Sequence, residues 1–397
     1  MNAAMAIDGG ALALGGGLLA LVRPALDLVE PGGVLALLAT SRTVREDLPA
    51  WCRVEHHAYL GCEALPDGRD RHLIGRGALS VPRGAREQPG APTPMPERAD
   101  PSSGFAPRGA RVEPGGPVYP FSLNERDRVA PPEVAQLYQQ AVAAQWDATR
   151  DIPWDRVGEL EPALERAVGQ VMTFLAENEL SALYVPSRFL PRIHPAYLEV
   201  AQFLATQLAD EARHIDVFLR RARVRGVPGI SSATTSRSLH SLLMLEDFAE
   251  ATFLLSVLGE GTFLDLLRFI ERHAPDEATA EIMRRARVDE ARHVHFGVVH
   301  VRHAMSIDPT LQARLEAAVR RRAATMHGVG GVPAPLQDAL TILAAGGTAP
   351  AAVARGHEAV RQLLDDMHAG RMKRLEHAGF SAEGAQRLSD LHTPNFM

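Results

Sequence analysis

The sequence predicts a mainly α-helical protein, in which a four-helix bundle with additional helices follows a small α/β domain. The pentapeptide Asp-Glu-Ala-Arg-His occurs twice, at residues 210–214 and 289–293, and both copies lie in helical stretches. Apolar residues recur with helical spacing from about Pro132 to about His303. Residues 18–38 instead contain one apolar helix-like segment, a turn and an apolar β-like run. We therefore expect an α/β domain at 1–82, a linker at 83–130 and a helical domain at 131–397.

The composition favours a soluble globular protein of two domains. The chain has 397 residues, of which 46% are hydrophobic and 23% charged, enough for a large apolar core. No segment reaches eighteen consecutive apolar residues, so we expect no membrane span. The net charge of −6 argues against non-specific binding to nucleic acid. Two cysteines and no recognisable signal peptide favour a cytoplasmic location.

The N-terminal domain is predicted from a change of pattern around one turn. An apolar helix-like segment from Leu18 to Val29 is followed by the turn Pro31-Gly32-Gly33 and by a β-like run from Val34 to Leu38. This order predicts a short βαβ unit. Residues 82–120 are dense in Pro, Gly, Arg and Ser, so we expect a mobile linker there.

The repeated pentapeptide predicts a metal site. Residues three apart lie on one face of an α-helix, so Glu211 with His214, and Glu290 with His293, can each offer a carboxylate and an imidazole to one ion. A single Glu-x-x-His is common on solvated helix faces. The repeat also preserves the neighbouring Asp and Arg, and a histidine that binds metal usually donates its second N–H to a carboxylate. Two such pairs, with one Glu from each of two other helices, form a di-metal carboxylate site.

The two remaining glutamates follow from height along antiparallel helices. The first turn, around Pro195, lies about sixteen residues from both Glu179 and Glu211. The second turn, around Pro275, lies about fifteen residues from both Glu260 and Glu290. Glu179 and Glu260 should therefore lie level with the two motifs.

Three other glutamates compete for these places. Glu246 and Glu250 share roughly one helical stripe with Glu260, but they lie about 21 Å and about 15 Å away from it along a helix. We therefore interpret Glu250 as a polar wall, channel or salt-bridge residue. Glu177 points about 200° away from Glu179 around the helix axis.

Residues 135–305 resemble the ferritin-like di-iron oxygenases related to p-aminobenzoate N-oxygenase. The likeness rests on Glu179, on Ala205-Thr206-Gln207 before the first pentapeptide, on Gly259-Glu260-Gly261, and on 289–297 around the second, with Trp146 and 151–154 leading into the first helix. It implies a set of six iron ligands: Glu179, Glu211, His214, Glu260, Glu290 and His293. It also implies that Asp210 and Asp289 each bond the histidine of the opposite motif. Other residues expected beside the ligands are Arg213, Arg292 and Gln207.

Two departures narrow the chemistry that this resemblance implies. The N-oxygenases carry a further His four residues before the last Glu-x-x-His, where this chain has Ala286. Ribonucleotide reductase small subunits carry a radical-forming Tyr four residues after the first motif's His, where this chain has Phe218. The first departure argues against amine N-oxygenation specifically. The second departure excludes a stable tyrosyl radical at that place and favours oxygenase or oxidase chemistry.

Residues 5–80 resemble the TusA-like sulfur carriers, through the Pro-Gly turn, residues 47–53 and residues 71–76. That family carries sulfur on the cysteine of a Cys-Pro-x-Pro motif, and this chain has Gly15-Gly16-Gly17-Leu18 in its place. We therefore expect a degenerate carrier module that serves docking, assembly or substrate presentation. Cys52 and Cys62 are interpreted as incidental thiols.

The resemblance implies two iron ions as cofactor, with a manganese–iron pair as the alternative, and dioxygen as co-substrate. The expected partners are a small or carrier-borne organic substrate and an external electron donor. The helices after His303 are expected to pack around the bundle or to form a homodimer contact. Predicted pocket walls, equally interpretable as bundle core, are Phe174, Tyr184, Leu204, Phe218, Phe253 and Val257. The alternative function is a non-catalytic ferritin-like protein that stores or oxidises iron and uses the N-terminal module for docking.

Overall fold

The computed structural model describes residues 2–77, 94–110, 112, 115–326 and 332–391. The chain divides between Thr93 and Pro94 into two compact units. The first unit contains a four-stranded sheet with helices, and the second is helical. The predicted fold class, a mainly α-helical bundle preceded by a small α/β domain, is confirmed.

The N-terminal unit is a mixed sheet with two helices. Its elements are β1 (Met5–Asp8), α1 (Leu19–Leu28), β2 (Val34–Ala39), α2 (Thr43–Val54), β3 (Ala58–Ala64) and β4 (Asp70–Gly75). The strand order is β1-β2-β4-β3, with β1 parallel to β2 and the other pairs antiparallel. Because α1 connects two parallel neighbours, β1, α1 and β2 form the predicted βαβ unit. Leu18, Leu37 and Leu48 are among its fully buried side chains.

The second unit is built from twelve described α-helices and one π-helix. They are α3 (Arg126–Val129), α4 (Val134–Ala143), α5 (Pro162–Ser187), α6 (Leu198–Val224), α7 (Ala233–Leu243), α8 (Phe248–Thr252), the π-helix (Phe253–Glu260), α9 (Gly261–Arg272), α10 (Glu277–Ile307), α11 (Thr310–Thr325), α12 (Ala334–Ala345), α13 (Pro350–His377) and α14 (Ala382–Leu391). α5 packs along α6 and α9 along α10, while the α8, π and α9 segments together supply the third bundle helix. Within the described helices, none combines the length and apolar character needed to cross a bilayer.

Local sequence signals fix where the bundle helices begin. Pro162 opens α5, where a missing N–H costs nothing and the fixed φ suits a helix. The Asp276 side chain accepts a hydrogen bond of 2.7 Å from the Thr279 N–H and caps α10. Asp247 caps α8 in the same way, through the Glu250 N–H at 3.0 Å. The predicted turns are present: Pro195 lies between the end of α5 and the start of α6, and Pro275 lies between the end of α9 and the start of α10.

The apolar core of the bundle is divided into two clusters. One cluster contains Val185, Leu204, Leu258 and Val294. The other contains Leu175, Val217, Phe263 and Ala286. The four bundle helices are α5, α6, the run formed by α8, the π-helix and α9, and α10. Each set has one residue from each of them, so every bundle helix passes from one apolar cluster to the other. A polar layer lies at this transition.

The predicted linker at 83–130 falls into two parts. Residues 83–93 lie outside the described residues. Residues 94–130 belong to the helical unit and bond to it through specific contacts: the Tyr197 hydroxyl donates to the Asn124 carbonyl at 2.8 Å, and Arg108 forms an ion pair with Glu199. The helical unit thus begins at Pro94, earlier than the predicted residue 131.

Candidate metal centre

The six residues predicted as ligands lie together in the polar layer between the two apolar clusters. Each is at most 5% exposed. α5 supplies Glu179, α6 supplies Glu211 and His214, the last residue of the π-helix is Glu260, and α10 supplies Glu290 and His293. They form two groups of four, and within each group the possible ligand atoms lie within 4.8 Å of one another. Four separate helices therefore converge on one buried cluster.

Glu211 and Glu290 belong to both groups. Glu211 Oε2 lies 3.2 Å from His214 Nδ1, while its Oε1 lies 3.0 Å from His293 Nδ1. Glu290 Oε1 lies 3.3 Å from His214 Nδ1, while its Oε2 lies 3.6 Å from His293 Nδ1. Each shared carboxylate thus directs one oxygen to either imidazole, which is the arrangement of a carboxylate that bridges two ions.

Glu179 and Glu260 complete the two groups from opposite sides. Glu179 Oε1 lies 3.8 Å from His214 Nδ1, and Glu179 belongs only to the group that contains His214. Glu260 belongs only to the group that contains His293. Each group therefore has one imidazole, one carboxylate of its own and two shared carboxylates.

Unsatisfied polar atoms in this cluster support a fit to cations. Among the described residues, six buried atoms of these side chains have no partner in hydrogen-bonding geometry, although two of them, Glu211 Oε1 and His293 Nδ1, lie 3.0 Å apart; the six are Glu179 Oε1, Glu211 Oε1, Glu260 Oε2, His293 Nδ1 and both carboxylate oxygens of Glu290. Buried polar atoms are nearly always hydrogen-bonded, so a concentration of unpaired acceptors calls for an explanation. Carboxylate oxygens and imidazole nitrogens are ligands for iron and manganese.

Burial and mutual charge shift the protonation of the metal-free cluster. Burial raises the pKa of Glu179 and of Glu260, and repulsion from Glu290 and Glu211 raises both further. Burial opposes the charged form of His214 and His293 also, but the surrounding carboxylates hold the pKa of both imidazoles above the ordinary value. Without a metal ion, the protonated forms of Glu179, Glu260, His214 and His293 are therefore favoured, and a divalent cation would have to displace these protons to bind.

Two aspartates hold the imidazoles from behind in a crossed arrangement. His214 Nε2 lies 3.2 Å from Asp289 Oδ2, and His293 Nε2 lies 3.3 Å from Asp210 Oδ2. Since a carboxylate accepts, each Nε2–H donates to its aspartate, and each Nδ1, which faces the glutamates, is the atom that a metal ion would bind in place of a proton. Each aspartate contacts the histidine of the opposite motif, as the resemblance implies.

Two arginines neutralise these aspartates. Arg213 pairs with Asp210 and lies 3.1 Å from Asp289, while Arg292 pairs with Asp289 and lies 3.3 Å from Asp210. The four side chains form a closed ring with two positive and two negative charges. The four glutamates are thus left for the site itself, and once ionised they carry a charge equal and opposite to that of two divalent cations.

Gln207 and two residues after α4 complete the surroundings. Gln207 Nε2 donates to Glu260 Oε1 at 3.0 Å. Gln145 Nε2 donates to Asp210 Oδ1 at 3.1 Å, and Trp146 Nε1 donates to Asp289 Oδ2 at 2.7 Å. The sequence indicated Trp146 through the family resemblance alone, and no pattern marked Gln145. Its position next to Trp146 is the single signal that could have indicated it.

The competing glutamates all lie elsewhere. Glu246 forms an ion pair with Arg188 at 2.8 Å, and Glu250 forms one with Arg321 at 2.7 Å. Glu177 accepts a hydrogen bond of 2.7 Å from the Ser231 hydroxyl. The salt-bridge interpretation of Glu250 thus agrees with the structure.

A small cavity adjoins the centre on the side of the unshared glutamates. Its volume is about 20 Å³, and its lining includes Asn178, Glu179, Leu255, Glu260 and Phe263. A space of this size accommodates about one water-sized molecule. The cavity thus touches one unshared glutamate of each group, Glu179 and Glu260.

The residues at the two positions of departure are apolar and buried. Phe218 is fully buried, with its ring centroid 6.2 Å from that of His214. Ala286 is fully buried in the apolar cluster that also contains Leu175 and Phe263. Tyr184, predicted as a pocket wall, is 56% exposed, because it faces outward from α5, and that prediction is wrong.

Comparisons with known proteins give only distant likenesses. No protein-family model and no curated protein matches the chain. A solved structure described as an R2-like ligand-binding oxidase with aerobically reconstituted metal cofactor after photoconversion is 15% identical, with 66% of this chain and 94% of that chain covered and a TM-score of 0.45. A valine-to-leucine variant of an R2-like ligand-binding oxidase with a Mn/Fe cofactor is 16% identical over 66% of this chain and 94% of that chain, with a TM-score of 0.45.

Proposed function

We propose that this protein is a non-haem di-iron oxygenase or oxidase that uses dioxygen to oxidise a small or carrier-borne organic substrate. The observation that carries the proposal is the pair of four-residue groups that share Glu211 and Glu290. Two imidazoles and four carboxylates, buried together and balanced for two divalent cations, match the ligand set of di-iron carboxylate proteins. A manganese–iron pair suits the same ligands.

The ligand residues divide the work of holding two ions. His214 and Glu179 would hold one ion, His293 and Glu260 the other, and Glu211 and Glu290 both. Iron bound there would supply electrons to dioxygen and leave an oxidant for the substrate. Asp289 and Asp210 keep the two imidazoles in the tautomer that presents Nδ1, and Gln207 orients Glu260.

The cavity beside Glu179 and Glu260 has room for one water-sized group, so it supports a substrate that projects a single hydrogen-bond donor into it. Asn178 Nδ2 donates to the Phe174 carbonyl at 2.7 Å, but Asn178 Oδ1 has no partner among the described residues. An N–H or O–H on the substrate would satisfy this buried acceptor. Apolar side chains such as Leu255 and Phe263 form the rest of the wall and limit the access of water.

The test is dioxygen consumption by the iron-loaded, chemically reduced protein. The substrates offered are small aromatic amines and alcohols, both free and as carrier thioesters. We expect consumption coupled to one oxidised product in the wild type and its loss in Glu260→Ala. Glu250→Ala is the matched control, because Glu250 precedes Glu260 in the same helical run but pairs with Arg321.

Iron oxidation without an organic product would support the alternative instead. A storage protein would oxidise ferrous iron beyond two ions per chain and retain a ferric core. The N-terminal unit would then serve docking alone, whereas under the main proposal it would serve docking, assembly or substrate presentation.

A further inference from the structure

A second group of potential metal ligands lies in the N-terminal unit, on the β3–β4 hairpin. Cys62 is directly opposite His72 in the antiparallel register, and Asp70 is two residues before His72 on β4. Opposite residues, and residues two apart, share one face of a sheet, so the three side chains point the same way. Their possible ligand atoms all lie within 4.8 Å of one another.

The surroundings of His72 are those expected for a metal-binding histidine. Its side chain is fully buried, and its Nδ1 lies 3.1 Å from the Tyr59 hydroxyl. Its Nε2 has no hydrogen-bond partner in the part of the chain that the structure describes. A buried ring nitrogen without a partner is uncommon. A histidine that binds metal through one nitrogen usually hydrogen-bonds through the other, and Tyr59 provides that bond here.

We infer that Cys62, Asp70 and His72 form a binding site for a zinc-class divalent cation at the edge of the N-terminal sheet. Thiolate, imidazole and carboxylate are the three protein ligands that zinc uses most. Three protein ligands leave a fourth tetrahedral position for water or for a ligand atom from a bound molecule. Cys62 lies at the surface on the edge strand β3, so an ion can enter from solvent. The site is separate from the six-residue centre and does not depend on its proposed function.

Arg45 of α2 modulates this site. Its Nε lies 3.0 Å from Asp70 Oδ2, and its Nη2 contacts Asp70 Oδ1. The guanidinium fixes the carboxylate in place, and a carboxylate has lone pairs enough to bind a cation as well. Its positive charge nevertheless opposes a second cation on the same carboxylate. Removal of Arg45 should therefore tighten cation binding.

Cadmium is the probe for the test, because its thiolate complexes absorb in the ultraviolet and its carboxylate and imidazole complexes do not. The full chain, with iron already loaded, is titrated with cadmium while this absorption is followed. The chain has two cysteines. Cys52 is fully buried, and burial raises its thiol pKa to about 11, so it stays protonated near neutral pH. Binding at the inferred site should saturate near one cadmium per chain, and added zinc should abolish the absorption.

Variants separate a built site from adventitious binding to a thiol. Cys62→Ser should abolish the absorption, and Cys52→Ala should retain it. His72→Asn should weaken cadmium binding by about tenfold or more, and Arg45→Ala should strengthen it. An absorption that survives in Cys62→Ser, or an affinity unchanged in His72→Asn with the fold intact by circular dichroism, would overturn the inference. Iron content measured in the same samples shows independently whether the six-residue centre is loaded.

Discussion

His214 Nε2 lies 3.2 Å from Asp289 Oδ2, so the histidine of the first motif is bonded by the aspartate of the second motif, 75 residues later in the chain. The mirror contact joins His293 to Asp210 at 3.3 Å. The histidine of each Glu-x-x-His pair is thus bonded by the aspartate of the other helix. The Asp and Arg of both pentapeptides also pair with each other, so the two copies form one bonded unit.

Asp289→Asn should weaken iron binding by about 10- to 100-fold, because the amide no longer fixes the proton on His214 Nε2 and loses charge balance with Arg213 and Arg292. Competition with a chromogenic ferrous chelator measures the affinity. Asp216→Asn, at an exposed position of the same helix as His214, is the control and should bind iron as the wild type does. An affinity in Asp289→Asn equal to that of the control would contradict the crossed arrangement.

Gly297 allows α10 to approach the π-helix that ends at Glu260. A Cβ added at position 297 would lie 2.6 Å from Ser256 Cβ and 3.3 Å from Val257 Cγ2. Gly297→Ala should therefore lower the free energy of unfolding by about 1–3 kcal/mol and weaken metal binding, since the displaced segment carries Glu260. Urea unfolding and chelator competition measure the two effects. At Gly158 an added Cβ meets nothing within 4 Å, so Gly158→Ala should leave metal affinity unchanged.

His300 should make stability fall with acid in a defined range. It is 1% exposed and packs against Phe248 and Phe296, and burial lowers its pKa to about 4, with a smaller contribution from His303. Below the ordinary pKa of about 6.5 the unfolded chain takes up the proton first, so stability present above that pH is lost as pH falls toward 4. The loss attributable to this residue is about 3 kcal/mol.

The measurement is the free energy of unfolding in urea between pH 7 and pH 4, with a chelator present throughout. His300→Leu should remove the part of the pH dependence due to this residue, and His295→Gln, at an exposed position of α10, should retain it. Parallel pH profiles for His300→Leu and the wild type would show that His300 does not remain neutral in the folded protein.

The six clustered residues could be predicted from the sequence because two kinds of information agreed. The repeat identified Glu211, His214, Glu290 and His293, and the spacing from the turns identified Glu179 and Glu260. The count from Pro275 to Glu260 runs through α9, and the count to Glu290 runs through α10. Both paths are α-helical, so equal residue numbers correspond to equal heights.

The π-helix could not be predicted. Its sequence is apolar from Phe253 to Leu258 except for Ser256, so no polar residue marks the rotation of one turn relative to the next. π-helical turns are rare and occur mostly as short insertions in α-helices, and here the segment packs closely against α10 at Gly297. The local sequence pattern therefore predicts a helix in this segment but does not tell an α-helix from a π-helix.

The segment at 94–130 shows that amino-acid composition alone does not distinguish a mobile linker from a segment bonded to a domain. Its Pro and Gly content predicted a mobile linker, yet the structure shows it bonded to the helical unit. The carbonyls of Glu97 and Asn124 accept from the Tyr197 hydroxyl, and the Asp100 carbonyl bonds His194 Nε2. These bonds join residues far apart in sequence, which composition cannot register.

Iron content per chain tests most directly whether the six side chains hold two ions. Protein grown with iron should contain about two ions per chain in the wild type and in Glu250→Ala, and about one or fewer in Glu260→Ala. Glu260 is chosen because it belongs to one group alone, so its loss should empty that group first. Fewer than about one iron in the wild type, or equal iron in Glu260→Ala and Glu250→Ala, would contradict the account.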